Sequence, residues 1–175
     1  EMVSVMTETI SATRAGFVAL IGAPNAGKST LLNQLIGQKI AIVTHKAQTT
    51  RTRIRGITME RASQLVFVDT PGIFAPKRRL DKAMVAAAWG GADDADVTAL
   101  IVDAKRTRPD HEGFLAILDS LAGAKHPCLL VLNKVDEAPR ERLMELAAVA
   151  NEKVTFADTF MISALNGSGV DDLRA

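Results

Sequence analysis

A lysine and a serine set side by side behind a glycine are the residues of this chain whose placement first suggests chemistry. Lys28 and Ser29 close the run Gly22-Ala23-Pro24-Asn25-Ala26-Gly27-Lys28-Ser29, which fits the pattern G-x-x-x-x-G-K-[ST]. In such a loop successive backbone N–H groups turn inward and form a nest for an anion. A helix starting near Gly27 adds its unpaired N-terminal donors and the positive end of its dipole. Glycine at 22 and 27 has no Cβ, so the backbone can take positive φ there and approach oxygen atoms closely. The Lys28 ammonium then suits β- and γ-phosphates and the Ser29 hydroxyl suits Mg²⁺, with Pro24, Asn25, Ala26 and Thr30 completing the lining. Four fixed positions recur by chance in ordinary strand–turn–helix units, so context decides. An apolar run stands before the loop and a helical pattern after it, which favours a nucleoside phosphate as ligand.

Three further sets follow apolar runs. Asp69-Thr70-Pro71-Gly72 is a D-x-x-G box. Its carboxylate can hold Mg²⁺, usually through water, while the Gly72 N–H meets a γ-phosphate oxygen. Asn133-Lys134-Val135-Asp136 is an N-K-x-D box. An ionised Asp136 offers two acceptors that match the N1–H and exocyclic amine of guanine. Adenine has no such amine and would leave the carboxylate unpaired, at a cost of about 1–3 kcal/mol or more. Asp136 is therefore expected to select guanine, Asn133 to tie its loop to the phosphate loop, and the stem of Lys134 to cover the base face. Ser163-Ala164-Leu165 follows the last apolar run, where a backbone N–H can meet guanine O6.

A γ-phosphate sensor is expected at Thr50 rather than its neighbour Thr49. Its hydroxyl would ligate Mg²⁺ and its N–H the γ-phosphate, so that the loop is ordered by GTP and released on hydrolysis. Ser29, Thr50 and Asp69 form the expected metal set; Lys28, Thr50, Gly72 and Asn25 are the candidate catalytic residues. The reaction implied is slow conversion of GTP and water to GDP and phosphate. The alternative is a docking module regulated by nucleotide with negligible turnover. Basic residues at Lys46, Arg51, Arg53, Arg55, Lys77, Arg78 and Arg79 flank both expected switches. They read as solvated surface, or as an RNA or partner contact formed in one nucleotide state.

These residues need a scaffold that brings strand ends together. Residues 17–21 form a short continuous apolar run, as in a central parallel strand covered on both faces. Leu31, Leu32, Leu35 and Ile36 fall on one face of the helix that follows, and Gly37 is placed to end it. Strands are expected at 53–59, 64–68, 97–102, 128–132 and 159–162. Helices are expected at 80–89, broken by Gly90-Gly91; at 110–121, with Phe114, Ile117, Leu118 and Leu121 inward; at 140–150, with Leu143, Met144, Ala147 and Ala150 on one side; and from near Val170. This alternation predicts an α/β fold, a mostly parallel six-stranded sheet with helices on both faces and the ligand loops along one edge.

At 175 residues the chain has the length of one domain, with 47% hydrophobic and 23% charged residues. Residues 1–14 are expected to be a loose tail and 15–175 the folded domain. The last helical pattern breaks off at Ala175, as expected of the first domain of a longer protein. A net charge of +1 gives no electrostatic reason to expect a nucleic-acid coat. One cysteine, Cys128, excludes an internal disulfide and reads as a buried thiol. The three histidines show no metal-ligand spacing. With no apolar segment of bilayer-spanning length, the cytoplasm is the expected compartment.

The five boxes together resemble the N-terminal G domain of the bacterial Era GTPases, members of the translation-factor-related P-loop NTPases. The resemblance rests on GAPNAGKSTLLN, KIAIVTHKAQTTRTRIRGI, FVDTPGIFAPKRRL, NKVD and ISALNGSGVDDL. The K-x-Q-T-T-R and D-T-P-G-I-x-x-P-K runs separate it from the related Der and MnmE G domains, which stand as the alternative within the same fold. It implies a monomeric switch in small-subunit ribosome assembly and 16S rRNA maturation, with RNA held mainly by a C-terminal KH domain that this chain lacks; peripheral membrane association is a further implied partner. Ile73 stands where Ras-like enzymes carry a water-orienting glutamine, which resembles the hydrophobic-substituted GTPases. In several relatives the residue matched by Asn25 helps hold a K⁺ ion near the β- and γ-phosphates, an ion that can replace an arginine finger electrostatically.

Overall fold

The computed structural model describes residues 14–23, 25–36, 53–69, 95–124 and 126–175, with backbone alone at 53–55 and 69. Six strands make one sheet in the order β2-β3-β1-β4-β5-β6. β1 (Arg14–Ile21) lies between β3 (Ser63–Asp69) and β4 (Val97–Asp103), parallel to both. β5 (Cys128–Asn133) and β6 (Asp158–Met161) continue the parallel array. β2 (Arg53–Glu60) runs antiparallel to β3, joined to it by a tight turn in which Arg61 takes φ 53°.

Strands covered on both faces need apolar side chains at every position, because neither set of alternating side chains meets water. Ala99, Leu100, Ile101 and Val102 of β4 and Leu130, Val131 and Leu132 of β5 are all buried in this way. One face is covered by α1 (Lys28–Ile36) and α4 (Val170–Arg174), whose Leu31, Leu32, Leu35, Ile36 and Val170 pack on Leu20, Phe67, Ile101 and Val131. The other is covered by α2 (Glu112–Leu121) and α3 (Arg140–Lys153) over Ala19, Ile21, Leu100 and Leu130. Every expected inward residue of α1 and α2 is buried. Arg174 also donates from Nη2 to the Gln34 carbonyl of α1 at 2.7 Å.

Three readings are corrected. In α3 the buried residues are Leu143, Leu146 and Ala150, while Met144 is 60% exposed. Steps of three and four keep 143, 146 and 150 on one arc, whereas Met144 sits about 100° round from Leu143. Phe17, expected between two covered faces, is 44% exposed, because the β1–β4 pairing begins only at Val18. The second helix starts at Glu112 rather than 110, since the His111 ring takes the N-cap role and its Nδ1 accepts from the Phe114 N–H at 3.3 Å. Cys128 is buried as expected, and burial pushes its thiol pKa up.

Expectations at Pro24, at 37–52 (Gly37, Lys46, Thr49, Thr50, Arg51), at 70–94 (Gly72, Ile73, Lys77, Arg78, Arg79 and the 80–89 helix) and at 1–13 lie outside the described residues. β1 takes in Arg14, the last residue of the expected tail. Among the described residues no helix is long and apolar enough to cross a membrane. The α3 correction has a direct consequence. Leu146→Ala should lower the unfolding free energy by about 2–5 kcal/mol and Met144→Ala by less than about 0.5. Urea titrations followed by circular dichroism compare them, and equal losses would return Met144 to the core.

Candidate functional site

Parallel pairing fixes which loops share an edge. Leu20 of β1 stands opposite Asp69 of β3, and Asp103 of β4 opposite Asn133 of β5, so the carboxyl ends of these strands lie along one edge. Ligands of doubly wound folds bind at this carboxyl edge.

The phosphate loop lies between β1 and α1. Gly27 takes φ 99°, as expected of a glycine in the left-handed region. Gly22 does not have positive φ; its requirement is closeness, since a Cβ there would lie 2.6 Å from the Ile101 carbonyl oxygen. The left-handed position falls instead on Asn25, at φ 65°. Within the loop the Ala26 N–H donates to the Ala23 carbonyl at 3.1 Å, so that amide closes a turn instead of facing inward. Lys28 is half-buried at the first turn of α1, with Ser29 and Thr30 exposed beside it.

Asn133 joins three loops. Only 2% exposed, it donates from Nδ2 to the Ala26 carbonyl at 2.9 Å. Its Oδ1 accepts from the Lys134 N–H at 2.8 Å and from the Ala164 N–H at 2.9 Å. The expected tie to the phosphate loop is present, and the second tie, to the segment after β6, comes with it. A Cβ on Gly27 would collide with Asn133 Nδ2. The expected free N–H of Ser163-Ala164-Leu165 is therefore not that of Ala164, which is committed to Asn133.

Ser163 is buried, and its hydroxyl has no partner among the described residues; its N–H and carbonyl bond Ser168 and Gly167 across the turn that follows. Leu165 is 80% exposed. Asp136 is exposed in the 3-10 turn Val135–Glu137, with its loop pinned by the Val135 N–H to the Ile162 carbonyl at 3.2 Å.

Lys134 takes φ 64°, and its Nζ donates to Asp103 Oδ2 at 2.8 Å and to the Asn25 carbonyl at 3.1 Å. Its ammonium thus braces the phosphate loop in addition to the expected role of its stem. Asp103 was not singled out by motif reasoning. The signal available was a carboxylate ending an otherwise apolar strand, the position at which Asp69 was recognised only because a D-x-x-G pattern followed it.

Of the expected metal donors, Ser29 stands in the first turn of α1 and Asp69 is the last residue of β3. These hard oxygen ligands fit Mg²⁺, and the Leu20–Asp69 register places that strand end beside the phosphate loop. Among the described residues no cluster of three or more His, Cys, Asp or Glu offers a site for a softer metal. Removing the central amide should disconnect the edge. Asn133→Ala leaves the Ala26 carbonyl and Ala164 N–H unpaired in a dry setting, and should cost about 3 kcal/mol in denaturant unfolding. A loss below about 1 kcal/mol would show that the three loops hold their places independently.

The family described as 50S ribosome-binding GTPase matches residues 17–134. GTPase Era from Bradyrhizobium sp. is 61% identical over 163 residues, covering 93% of this chain and 52% of that protein. The crystal structure of Era in complex with MgGDPNP and nucleotides 1506-1542 of 16S ribosomal RNA superposes with a TM-score of 0.67 at 37% identity, covering 93% of this chain and 55% of that one. A single-substitution variant of Aquifex aeolicus Era bound to GDP and AlF4⁻ gives a TM-score of 0.65 at 36% identity, covering 92% of this chain and 55% of that one. The chain spans about half the length of the curated relatives it matches. With the phosphate loop and Asn133 itself lying inside the matched segment, the chain belongs to the 50S ribosome-binding GTPase family, where its relatives are Era GTPases.

Proposed function

We propose that the chain is the G domain of an Era-type switch: it binds GTP with Mg²⁺, hydrolyses it slowly to GDP and phosphate, and serves small-subunit ribosome assembly. The observation that carries this reading is the Asn133 junction, in which the phosphate loop, the N-K-x-D loop and the Ser163-Ala164-Leu165 segment are tied to one side chain at the carboxyl edge. Two related Era structures, one with MgGDPNP and 16S rRNA nucleotides and one with GDP and AlF4⁻, support nucleotide, metal and RNA as ligands of the parent protein. Cytoplasmic location and a monomeric state accompany this proposal.

Each residue has a role that its chemistry allows. Lys28 and the loop amides neutralise the phosphates; Ser29, Thr50 and Asp69 supply the oxygens for Mg²⁺. When bound, Mg²⁺ withdraws charge from the β- and γ-phosphate oxygens. Thr50 and Gly72 read the γ-phosphate, and their loops transmit its presence. Asp136 pairs with the guanine edge, and the Ser163-Ala164-Leu165 backbone lies beside it. Ile73 has no donor or acceptor, so no side chain is assigned as base; catalysis rests on charge stabilisation. Asn25 fits a K⁺ ligand in that its side chain is exposed at the loop while its carbonyl is held by Lys134. RNA contact is assigned mainly to the part of the relatives that this chain does not cover.

Asp136→Asn should weaken GDP binding by at least about 100-fold through loss of charge-assisted bonds worth about 1.5–3 kcal/mol each, and should favour xanthine nucleotides. Fluorescent-nucleotide titration measures this, and unchanged GDP affinity would remove Asp136 from base reading. Multiple-turnover phosphate release should be faster in K⁺ than in Na⁺, and Asn25→Ala should abolish the difference. Stimulation that survives would place the ion elsewhere, and no turnover in either salt would leave a docking module.

A further inference from the structure

We propose that Asp103 is a positioning residue for the nucleotide site: through Lys134 its carboxylate sets the course of the phosphate loop at Asn25. The inference rests on the guanine-nucleotide reading above and extends it to a residue outside the five boxes.

The two oxygens of Asp103 do different work. Oδ1 accepts from the Lys105 N–H at 3.0 Å and the Arg106 N–H at 3.2 Å, closing the turn after β4. Oδ2 receives the Lys134 ammonium at 2.8 Å, in a pair whose side chains are 10% and 29% exposed. The same ammonium donates to the Asn25 carbonyl at 3.1 Å. Lys134 and Asn25 both stand in the left-handed region, at φ 64° and 65°. Residues other than glycine hold that conformation only where their surroundings over-determine it. The ammonium holds the Asn25 carbonyl directly, and Asp103 anchors it on its other side. An Nζ with a neutral carbonyl as sole partner would gain by turning to water. With an anion fixed on the opposite side, the lysine is held by a charge-assisted bond about twice as strong as a neutral one. Asp103 itself is fixed by strand register, opposite Asn133 on β5. A rigid sheet position thus governs a loop that must hold its shape for phosphate oxygens.

The two jobs can be separated by substitution. Asp103→Asn keeps an acceptor for the turn amides but removes the charge from Lys134. Asp103→Glu keeps the charge and displaces the acceptor from the turn. Stopped-flow release of a fluorescent GDP and the melting temperature are measured on both. D103N should release GDP about tenfold faster with a melting temperature within about 2 °C of the unaltered protein. D103E should melt several degrees lower yet release GDP within about twofold of the unaltered rate. Asp119→Asn, which breaks the exposed Lys153–Asp119 pair, should change neither. In a Lys134→Met background D103N should add nothing further. Release that is unchanged in D103N, release that merely follows the melting temperature in both variants, or additive effects with Lys134→Met would each overturn the proposal. Failure of the unaltered protein to bind GDP at all would instead overturn the guanine reading, a result distinct from these.

Discussion

Much of this molecule turns on one buried side-chain amide. An asparagine carries a donor and an acceptor on the same planar group, so it can face a carbonyl on one side and amides on the other. Asn133 does this between Ala26, Lys134 and Ala164, reaching 107 residues back along the chain and 31 forward. In a dry setting such bonds add little net energy when made, but their partners are costly to leave unmade. The amide therefore specifies where three loops sit more than it strengthens any one of them. Gly27 belongs to the same device. Its φ of 99° shapes the phosphate loop, and its missing Cβ leaves the space that the Asn133 amide occupies.

The sheet makes that junction available. Parallel register sets Asp103 beside Asn133 and Asp69 beside Leu20, so two acidic residues end their strands on the same edge. Alternation along the strands then assigns each neighbouring side chain to one of two apolar layers: Leu20 to the layer under α1, Ala19 and Ile21 to the layer under α2 and α3.

Much of this was legible in the residue order, for physical reasons. α1 carries apolar residues at helical spacing on one arc only, so its buried face could be named outright. The sequence of α3 is apolar at 143, 144 and 146–150, nearly all the way round, and periodicity alone does not choose between Met144 and Leu146. Contact with the sheet chooses, and it takes Leu146. The nucleotide boxes were legible because each follows an apolar run. Asp103 follows one too, but no pattern surrounds it, and its importance depends on a lysine brought alongside by strand pairing. The reason for Gly22 was equally hidden: closeness to the Ile101 carbonyl is a tertiary fact that composition does not carry.

The bond from Arg174 to the Gln34 carbonyl has a consequence of its own. Val170 is seated in the layer beneath α1, and the Arg174 guanidinium holds a carbonyl in the last turn of α1. α1 carries Lys28 and Ser29 at its start, so the helix that leads out of the phosphate loop is anchored at its far end by a residue 140 positions away in sequence. A shift of α1 along its axis would pull on α4, and a pull on α4 would reach the start of α1.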